Sequence, residues 1–224
     1  MAEKKTVVIA GGSGFIGRWF INAYRKKFRI IALSRKKVKH NPDPEVEWRQ
    51  VELYSISSTT EAIKGAHYAL YLVHSMNAST RLNQGSFDDT DLLLADNFAR
   101  AAEANKLEHI VFIGGILPKE TEKFSRHLRS RYEVEQTLGA RRTPLTTLRA
   151  GIIIGPGGSS FEIVRKLVLH LPAMACPEWC ESPSQPISVR DTLPLIEKVM
   201  GNETYYGQAL EIGGAETTTY TKML

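Results

Sequence analysis

Apolar residues recur along this chain in two alternating rhythms. Short unbroken runs, Thr6-Val7-Val8-Ile9-Ala10, Arg29-Ile30-Ile31-Ala32-Leu33 and Tyr68-Ala69-Leu70-Tyr71-Leu72-Val73, read as buried strands. Between them the apolar positions fall at helical spacing, as at Phe15, Ile16, Trp19, Phe20, Ala23 and Tyr24. Val46 to Val51 alternates weakly as a third strand. Ser58-Thr59-Thr60-Glu61 reads as a capping box that opens a short helix ending at Gly65. Helices are predicted over 87–105 and 125–138, the second stopped by Gly139, with a strand over 109–113 between them. A sixth strand covers 145–148 and 152–154 and is interrupted at Arg149-Ala150-Gly151.

Past Gly155-Pro156-Gly157-Gly158 the pattern loosens. Residues 160–171 read as a helix, 172–186 are proline-rich with little periodicity, and 185–189 form a short strand. Asp191 is the expected cap of a helix that runs to Met200 and ends at Gly201, and a last strand covers 209–212. The sequence stops at Tyr220-Thr221-Lys222-Met223-Leu224, where another helix is beginning, so a longer natural chain is expected. Strands alternating with helices throughout predict an α/β protein with a Rossmann-type, doubly wound parallel sheet. Residues 1–224 are read as one domain, in which 155–186 and 201–224 contribute a small C-terminal substrate lobe. No internal repeat or low-complexity tract interrupts it.

The stretch with the most chemistry is Ala10-Gly11-Gly12-Ser13-Gly14-Phe15-Ile16-Gly17. It joins the first strand to the first helix, the setting in which a glycine loop binds a dinucleotide. Early glycines permit a tight turn and close backbone approach to a pyrophosphate. Gly17 lets the helix lie on the strand, and the helix N-terminus offers unpaired N–H groups to the anion. After the second strand comes Ser34-Arg35-Lys36-Lys37, with no Asp or Glu. An acid near this point, about 20 residues past the glycines, binds the adenosine ribose hydroxyls of NAD; a base there accommodates the phosphate of NADP. A hydrogen bond to a charged group contributes about 1.5–3 kcal/mol, or roughly ten- to hundredfold in affinity. NADP(H) is therefore expected over NAD(H), read mainly by Arg35 with Ser34 and Lys36 assisting. Ligands of such sheets bind at the carboxyl ends of the strands. That rim adds Glu52 and Leu53 after the third strand, and Val73, His74 and Ser75 after the fourth.

Composition narrows the alternatives. Of 224 residues, 42% are hydrophobic, enough for one sizeable core. No apolar run approaches the roughly 18 residues of a membrane span. The chain enters its first strand at Thr6, which leaves no room for a signal peptide, so a cytoplasmic address is expected. The two cysteines, Cys176 and Cys180, are separated by three residues and have no second ligand pair. They read as reduced thiols, and no metal site is expected. The net charge of +5 gathers in clusters at 25–29, 35–39, 126–131 and 141–142. Such a face attracts nucleic acid or an acidic membrane. Neither a helix-turn-helix, a zinc finger nor an aromatic-basic platform accompanies it, so no specific nucleic-acid partner is expected. An anionic cofactor and solvated helix faces account for the excess.

Gly11, Gly14 and Gly17 fit G-x-x-G-x-x-G, and with the acid after strand three, Arg149 to Gly157 and Gln185 to Asp191 the chain resembles the short-chain dehydrogenase/reductase superfamily. The resemblance is to its extended or atypical branch, the nucleotide-sugar epimerase-like and NmrA-like NAD(P)-binding proteins. Tyr71-Leu72-Val73-His74-Ser75-Met76, His127 to Arg131 with Glu133-Val134-Glu135, and Leu171-Pro172 through Pro177-Glu178-Trp179 are similar to bacterial NAD(P)H-binding or sugar-epimerase proteins of unknown substrate. The superfamily implies hydride transfer by Ser/Thr, Tyr and Lys, the last two spaced Tyr-x-x-x-Lys. Here Gly114-Gly115 stand where the serine follows strand five, and Tyr132 is followed four residues later by Gln136. Aligned on Glu135, His127 takes the Tyr position and Arg131 the Lys position.

His127 and Arg131 share one helix face at i and i+4, and a His exchanges protons near neutral pH. They are the candidate substitute dyad, with solvated helix residues or a structural ion-pair site as the alternative. The function then lies between two readings: an NADP(H)-dependent oxidoreductase or epimerase-like enzyme with an unknown small-molecule substrate, and a non-catalytic NADP(H)-binding redox sensor. A nucleic-acid or membrane-surface adaptor is a distant third. The predicted helices over 87–105 and 125–138 correspond to those that pair in dimeric relatives, so both a monomer and a homodimer are compatible with the chain.

Overall fold

The computed structural model describes residues 4–36, 43, 45–74, 87–118, 124–158, 162, 166, 169 and 178–223. In chain order its elements are β1 (Thr6–Ala10), α1 (Phe15–Tyr24), β2 (Arg29–Ser34), β3 (Val46–Gln50), α2 (Ile56–Ala62), β4 (Tyr68–Tyr71), α3 (Phe87–Ala104), β5 (His109–Gly115) and α4 (Arg126–Gly139). There follow β6 (Leu145–Ala150), β7 (Ile153–Ile154), β8 (Pro183–Ser184), β9 (Ile187–Ser188), α5 (Val189–Val199), β10 (Ala209–Ile212), β11 (Thr218–Thr219) and α6 (Tyr220–Met223). Seven strands form one sheet in the order β10-β6-β5-β4-β1-β2-β3, and each neighbouring pair is parallel. The winding reverses between β1 and β4, which opens a crevice at their carboxyl ends.

The period-2 alternation of β1 explains the three layers. Val7 and Ile9 face a core with Phe20 of α1 and Leu193 and Ile196 of α5. Val8 and Ala10 face the opposite core, with Ala62 of α2, Phe98 of α3 and Leu138 of α4. The doubly wound expectation is met, helices covering both faces of a parallel sheet.

Three local expectations are corrected. Ser55, not Ser58, caps α2: its hydroxyl accepts from the Ser58 N–H at 3.3 Å. The reason lies in Thr59, which is fully buried and donates its hydroxyl to the Ser55 carbonyl at 2.8 Å, drawing 56–59 into the helix. Likewise Ser188, not Asp191, caps α5. Its hydroxyl accepts from the Asp191 N–H at 3.0 Å and donates to Asp191 Oδ2 at 2.8 Å. Asp191 thus sits in the first turn, where its charge suits the helix dipole. The interrupted sixth strand is two strands. Leu145–Ala150 stays in the main sheet, whereas Ile153–Ile154 leaves it to pair with Ile187–Ser188, the observed part of the 185–189 strand. Thr218–Thr219 pairs antiparallel with Pro183–Ser184, a contact that periodicity did not predict. Glu162, Lys166 and Leu169 are helical; the rest of the predicted 160–171 helix and Cys176 lie outside the described residues, and Cys180 is buried. Among the described residues no helix is long and apolar enough to cross a membrane.

One buried histidine ties the carboxyl half together. His109, at the start of β5, has no solvent exposure. Its Nε2 meets Thr146 Oγ1 at 2.9 Å, and its Nδ1 accepts from the Gly201 N–H at 3.0 Å, joining β5 to β6 and to the end of α5. Burial pushes its pKa down to about 4 from the ordinary 6.5. The native protein therefore keeps this ring neutral in a range where the unfolded chain takes up a proton. Its contribution to stability is complete above pH 6.5 and is lost as the pH falls towards 4, a loss of about 3 kcal/mol. In urea denaturation, His109→Gln should be less stable than wild type at pH 7.5 yet lose less stability than wild type on acidification to pH 4.5. Parallel pH profiles for the two proteins would contradict this role.

Candidate functional site

The site begins where β1 hands over to α1. Gly11 adopts φ +91°, a left-handed turn that other residues enter only with strain, and its carbonyl accepts from the Gly14 N–H at 2.9 Å. Gly17, one turn into α1, rests directly on that loop. A Cβ there would lie 2.6 Å from the Gly11 carbonyl oxygen and 2.8 Å from that of Gly12. Gly14 precedes α1 in extended conformation and offers no side-chain cap, so the first-turn N–H groups have no intrahelical acceptor. They and the positive end of the helix dipole make a ready anion site. This is a cradle shaped for backbone contact with a phosphate, and it fits a dinucleotide's pyrophosphate.

The crevice has two halves that share Gly11, Gly14, Leu72 and His74, with volumes of about 200 Å³ and 320 Å³. The first half runs to the ends of β2 and β3 and brings together Ser13, Ser34, Arg35, Glu52, Leu53 and Val73 from the predicted set. Leu33, Val51, Tyr54 and Leu94 complete its walls. These apolar residues were legible only as core positions, because nothing in a strand pattern says which end of a strand meets a ligand. The second half runs to the ends of β5 and β6. It holds Phe15, Ile16, Gly17, His127 and Arg131, together with Gly114, Gly115 and Ala150.

Some predicted residues do other work. Gly12 is buried below the loop against Ala32 of β2 and lines neither half. Lys36 is exposed and also lines neither half. The Ser34 hydroxyl is tied to its own turn: it donates to the Lys36 carbonyl at 2.9 Å and accepts from the Lys36 N–H at 3.3 Å. Ser34 therefore shapes the turn that presents Arg35, whose carbonyl accepts from Gln50 Nε2 at 3.1 Å. Ser75 lies outside the described residues.

His127 and Arg131 are neighbours on α4, as the spacing predicted, but their surroundings differ. His127 is exposed at the mouth of the second half. Arg131 is 8% exposed and braces the sheet. Its Nη1 donates to the Val73 carbonyl at 3.2 Å, its Nη2 to the Ile113 carbonyl at 2.6 Å, and its guanidinium lies 4.6 Å over the Phe112 ring. Burial lowers its pKa, opposed by the charge of Asp91, and the group stays a cation. Through these bonds Arg131 holds the ends of β4 and β5 at fixed separation. Tyr132 packs edge-on against Phe124, with ring centroids 5.8 Å apart. Glu135, the residue used to align the motif, takes Arg149 of β6 in a two-pronged ion pair at 2.6 and 3.0 Å. That pair locks α4 to the sheet.

Asp91 is the site residue that sequence reasoning missed. It is 2% exposed on the inward face of α3, and its Oδ2 lies 3.2 Å from Nδ1 of His74. The signal was present: Asp91 shares the apolar stripe of Leu94, Ala95 and Phe98, where a carboxylate needs a partner.

Comparison with known proteins agrees with this geometry. Residues 11–167 match the family model described as NAD(P)H-binding. The chain belongs to the NAD(P)H-binding family. A curated relative of this NAD(P)H-binding protein is the auxiliary protein GraX of Staphylococcus aureus, 29% identical over 147 residues. That match covers 64% of this chain and 43% of GraX, so the chain spans less than half of that relative. Among solved structures, Bordetella bronchiseptica WbmG in complex with NAD superposes with a TM-score of 0.77 at 14% identity, covering 99% of this chain and 76% of that one. UDP-N-acetylglucosamine 4-epimerase from Bacillus cereus gives a TM-score of 0.74 at 15% identity, covering 98% and 79%. The fold of this chain is that of these solved structures, a parallel sheet with helices on both faces.

The close seat of Gly17 yields a direct prediction. In Gly17→Ala the new methyl meets two backbone carbonyls that no side-chain rotation can move aside, and the loop or the helix must shift. A loss of about 1–3 kcal/mol in urea denaturation is expected. Unchanged stability would show that the helix does not rest on the loop.

Proposed function

We propose that this NAD(P)H-binding protein prefers NADP(H) to NAD(H) and serves as an oxidoreductase or epimerase-like enzyme for a small-molecule substrate. The observation that carries the cofactor preference is the end of β2. Arg35 is exposed and lines the first half of the crevice, and the turn Ser34–Lys36 holds no carboxylate. A guanidinium there pairs with a 2′-phosphate in a bidentate geometry that a ribose hydroxyl cannot match. Gly11, Ser13 and Gly14 with the first turn of α1 would hold the pyrophosphate. Leu33, Val51, Leu53 and Leu94 would enclose the adenine, with Glu52 on the same wall.

Val73 and His74 would hold the nicotinamide, which supplies or accepts a hydride when bound. The chain's own part is to hold the substrate against that ring and to move a proton. Residues 155–186 and 201–224 form the substrate lobe in this reading. Its first turn is anchored to α1, where Trp19 Nε1 donates to the Pro156 carbonyl at 3.2 Å. His127 is the exposed proton carrier, and Arg131 acts through position. A second reading, a redox-responsive NADP(H) binder without turnover, draws on Gly114-Gly115 at the place of the family's serine. It also draws on the naming of GraX as an auxiliary protein.

Calorimetric titration with NADPH, NADP⁺, NADH and NAD⁺ tests the preference. The phosphorylated pair should bind roughly ten- to hundredfold more tightly, and Arg35→Asp should reverse the order. An identical ranking in the variant would remove Arg35 as the reader. NADPH oxidation across a panel of carbonyl compounds then separates the enzyme from the sensor, and in the enzyme His127→Ala should lower turnover.

A further inference from the structure

An ionisable array stands at the centre of the crevice, apart from the loop and the phosphate-reading turn. His74 follows β4 at the switch point and lines both halves, with 30% of its side chain exposed. Its Nδ1 is 3.2 Å from the buried Oδ2 of Asp91. The His127 ring stands 5.0 Å from the His74 ring at a tilt of 33°. A carboxylate inside the protein thus backs an imidazole that opens on the cleft, and a second imidazole from α4 lies against it.

A carboxylate on Nδ1 keeps the proton there, leaves Nε2 as the exchanging position and stabilises the imidazolium. Two imidazoles at this separation repel each other when both are charged, so the array favours a single proton. Other ionisable groups stand around them. Arg131 on α4 is a permanent cation that opposes a second proton. Tyr71 of β4 is fully enclosed, and burial pushes its phenol far above the ordinary range, so it stays neutral. Arg35 and Glu52 stand in the first half.

We infer that Asp91, His74 and His127 form the proton-handling array of this crevice, with Asp91 positioning His74 and His74 exchanging the proton at the nicotinamide end. The inference rests on the cofactor reading above. A bound reduced nicotinamide would supply a hydride to the carbonyl carbon of a substrate; the C=O π pair would become an oxygen lone pair, and His74 would give its imidazolium proton to that oxygen. His74 is left neutral and regains a proton from solvent by way of His127. The array replaces, with residues from three different elements, a proton donor that Gly114-Gly115 and Arg131 do not supply.

Two measurements test this. The first is NMR titration of the imidazole rings in wild type, Asp91→Asn and His127→Gln. The titration of His74 should respond both to loss of the carboxylate in Asp91→Asn and to loss of the neighbouring ring in His127→Gln. The second is calorimetry with NADP⁺ and with NADPH at pH 7 in phosphate and in Tris, which counts protons released on binding. The pyrophosphate and 2′-phosphate are common to both ligands, so the difference isolates the nicotinamide ring. Its positive charge in NADP⁺ disfavours a neighbouring imidazolium, so NADP⁺ should release more protons than NADPH, and His74→Gln should abolish the difference. Equal proton counts, or a His74 midpoint unmoved in Asp91→Asn, would overturn the inference while leaving the cofactor reading intact. Failure of both nucleotides to bind would remove that reading and the inference with it. Should Asp91→Asn not fold, the proton counts of wild type and the His127→Gln titration decide.

Discussion

The contact of Gly17 with the Gly11 and Gly12 carbonyls is the constraint from which the crevice follows. Without a Cβ at that position, the first turn of α1 drops onto the end of β1, and its N–H groups come to the mouth of the crevice. One methyl group would lift the helix and turn those donors away. The reversal of strand order between β1 and β4 supplies the space in front of them. Glycine spacing and sheet topology are thus two parts of one device, neither of which makes an anion site alone.

The second half of the crevice depends on buried charges that hold elements rather than ligands. Arg131 spans the ends of β4 and β5 through two carbonyls, and the Glu135–Arg149 fork fixes α4 against β6. Breaking one partner of such a pair leaves an uncompensated buried charge, so these residues keep α4 in a single place. His127 rides on that helix and inherits its position. Of the two residues at i and i+4 on this helix, Arg131 serves the scaffold and His127 stays open to solvent.

Much of this was readable from the sequence, for reasons that differ by element. Thr6–Ala10 and Arg29–Ser34 announce themselves because strands buried on both faces need unbroken apolar runs. The glycine loop is legible because backbone contact with an anion restricts residue type at each step. Helix starts were misplaced at Ser58 and Asp191, since each of these hydroxyl- and acid-rich stretches offers two registers, and Thr59 burial or Ser188 pairing decides between them. Arg131 reads as half of a dyad with His127 because spacing places a side chain on a helix face but does not say which carbonyls lie beneath. Asp91 escaped notice because its partner His74 is 17 positions away, past the end of β4, while Asp91 itself sits in α3.

The central claim, that the β1–α1 cradle grips a pyrophosphate and that Arg35 grips the extra phosphate beyond it, is tested most directly by a crystal structure of the protein with NADPH. The account predicts the pyrophosphate against the first-turn N–H groups of α1, the 2′-phosphate within hydrogen-bonding distance of Arg35, and the nicotinamide beside His74. A nucleotide lodged elsewhere, or a crevice left empty at saturating NADPH, would contradict it.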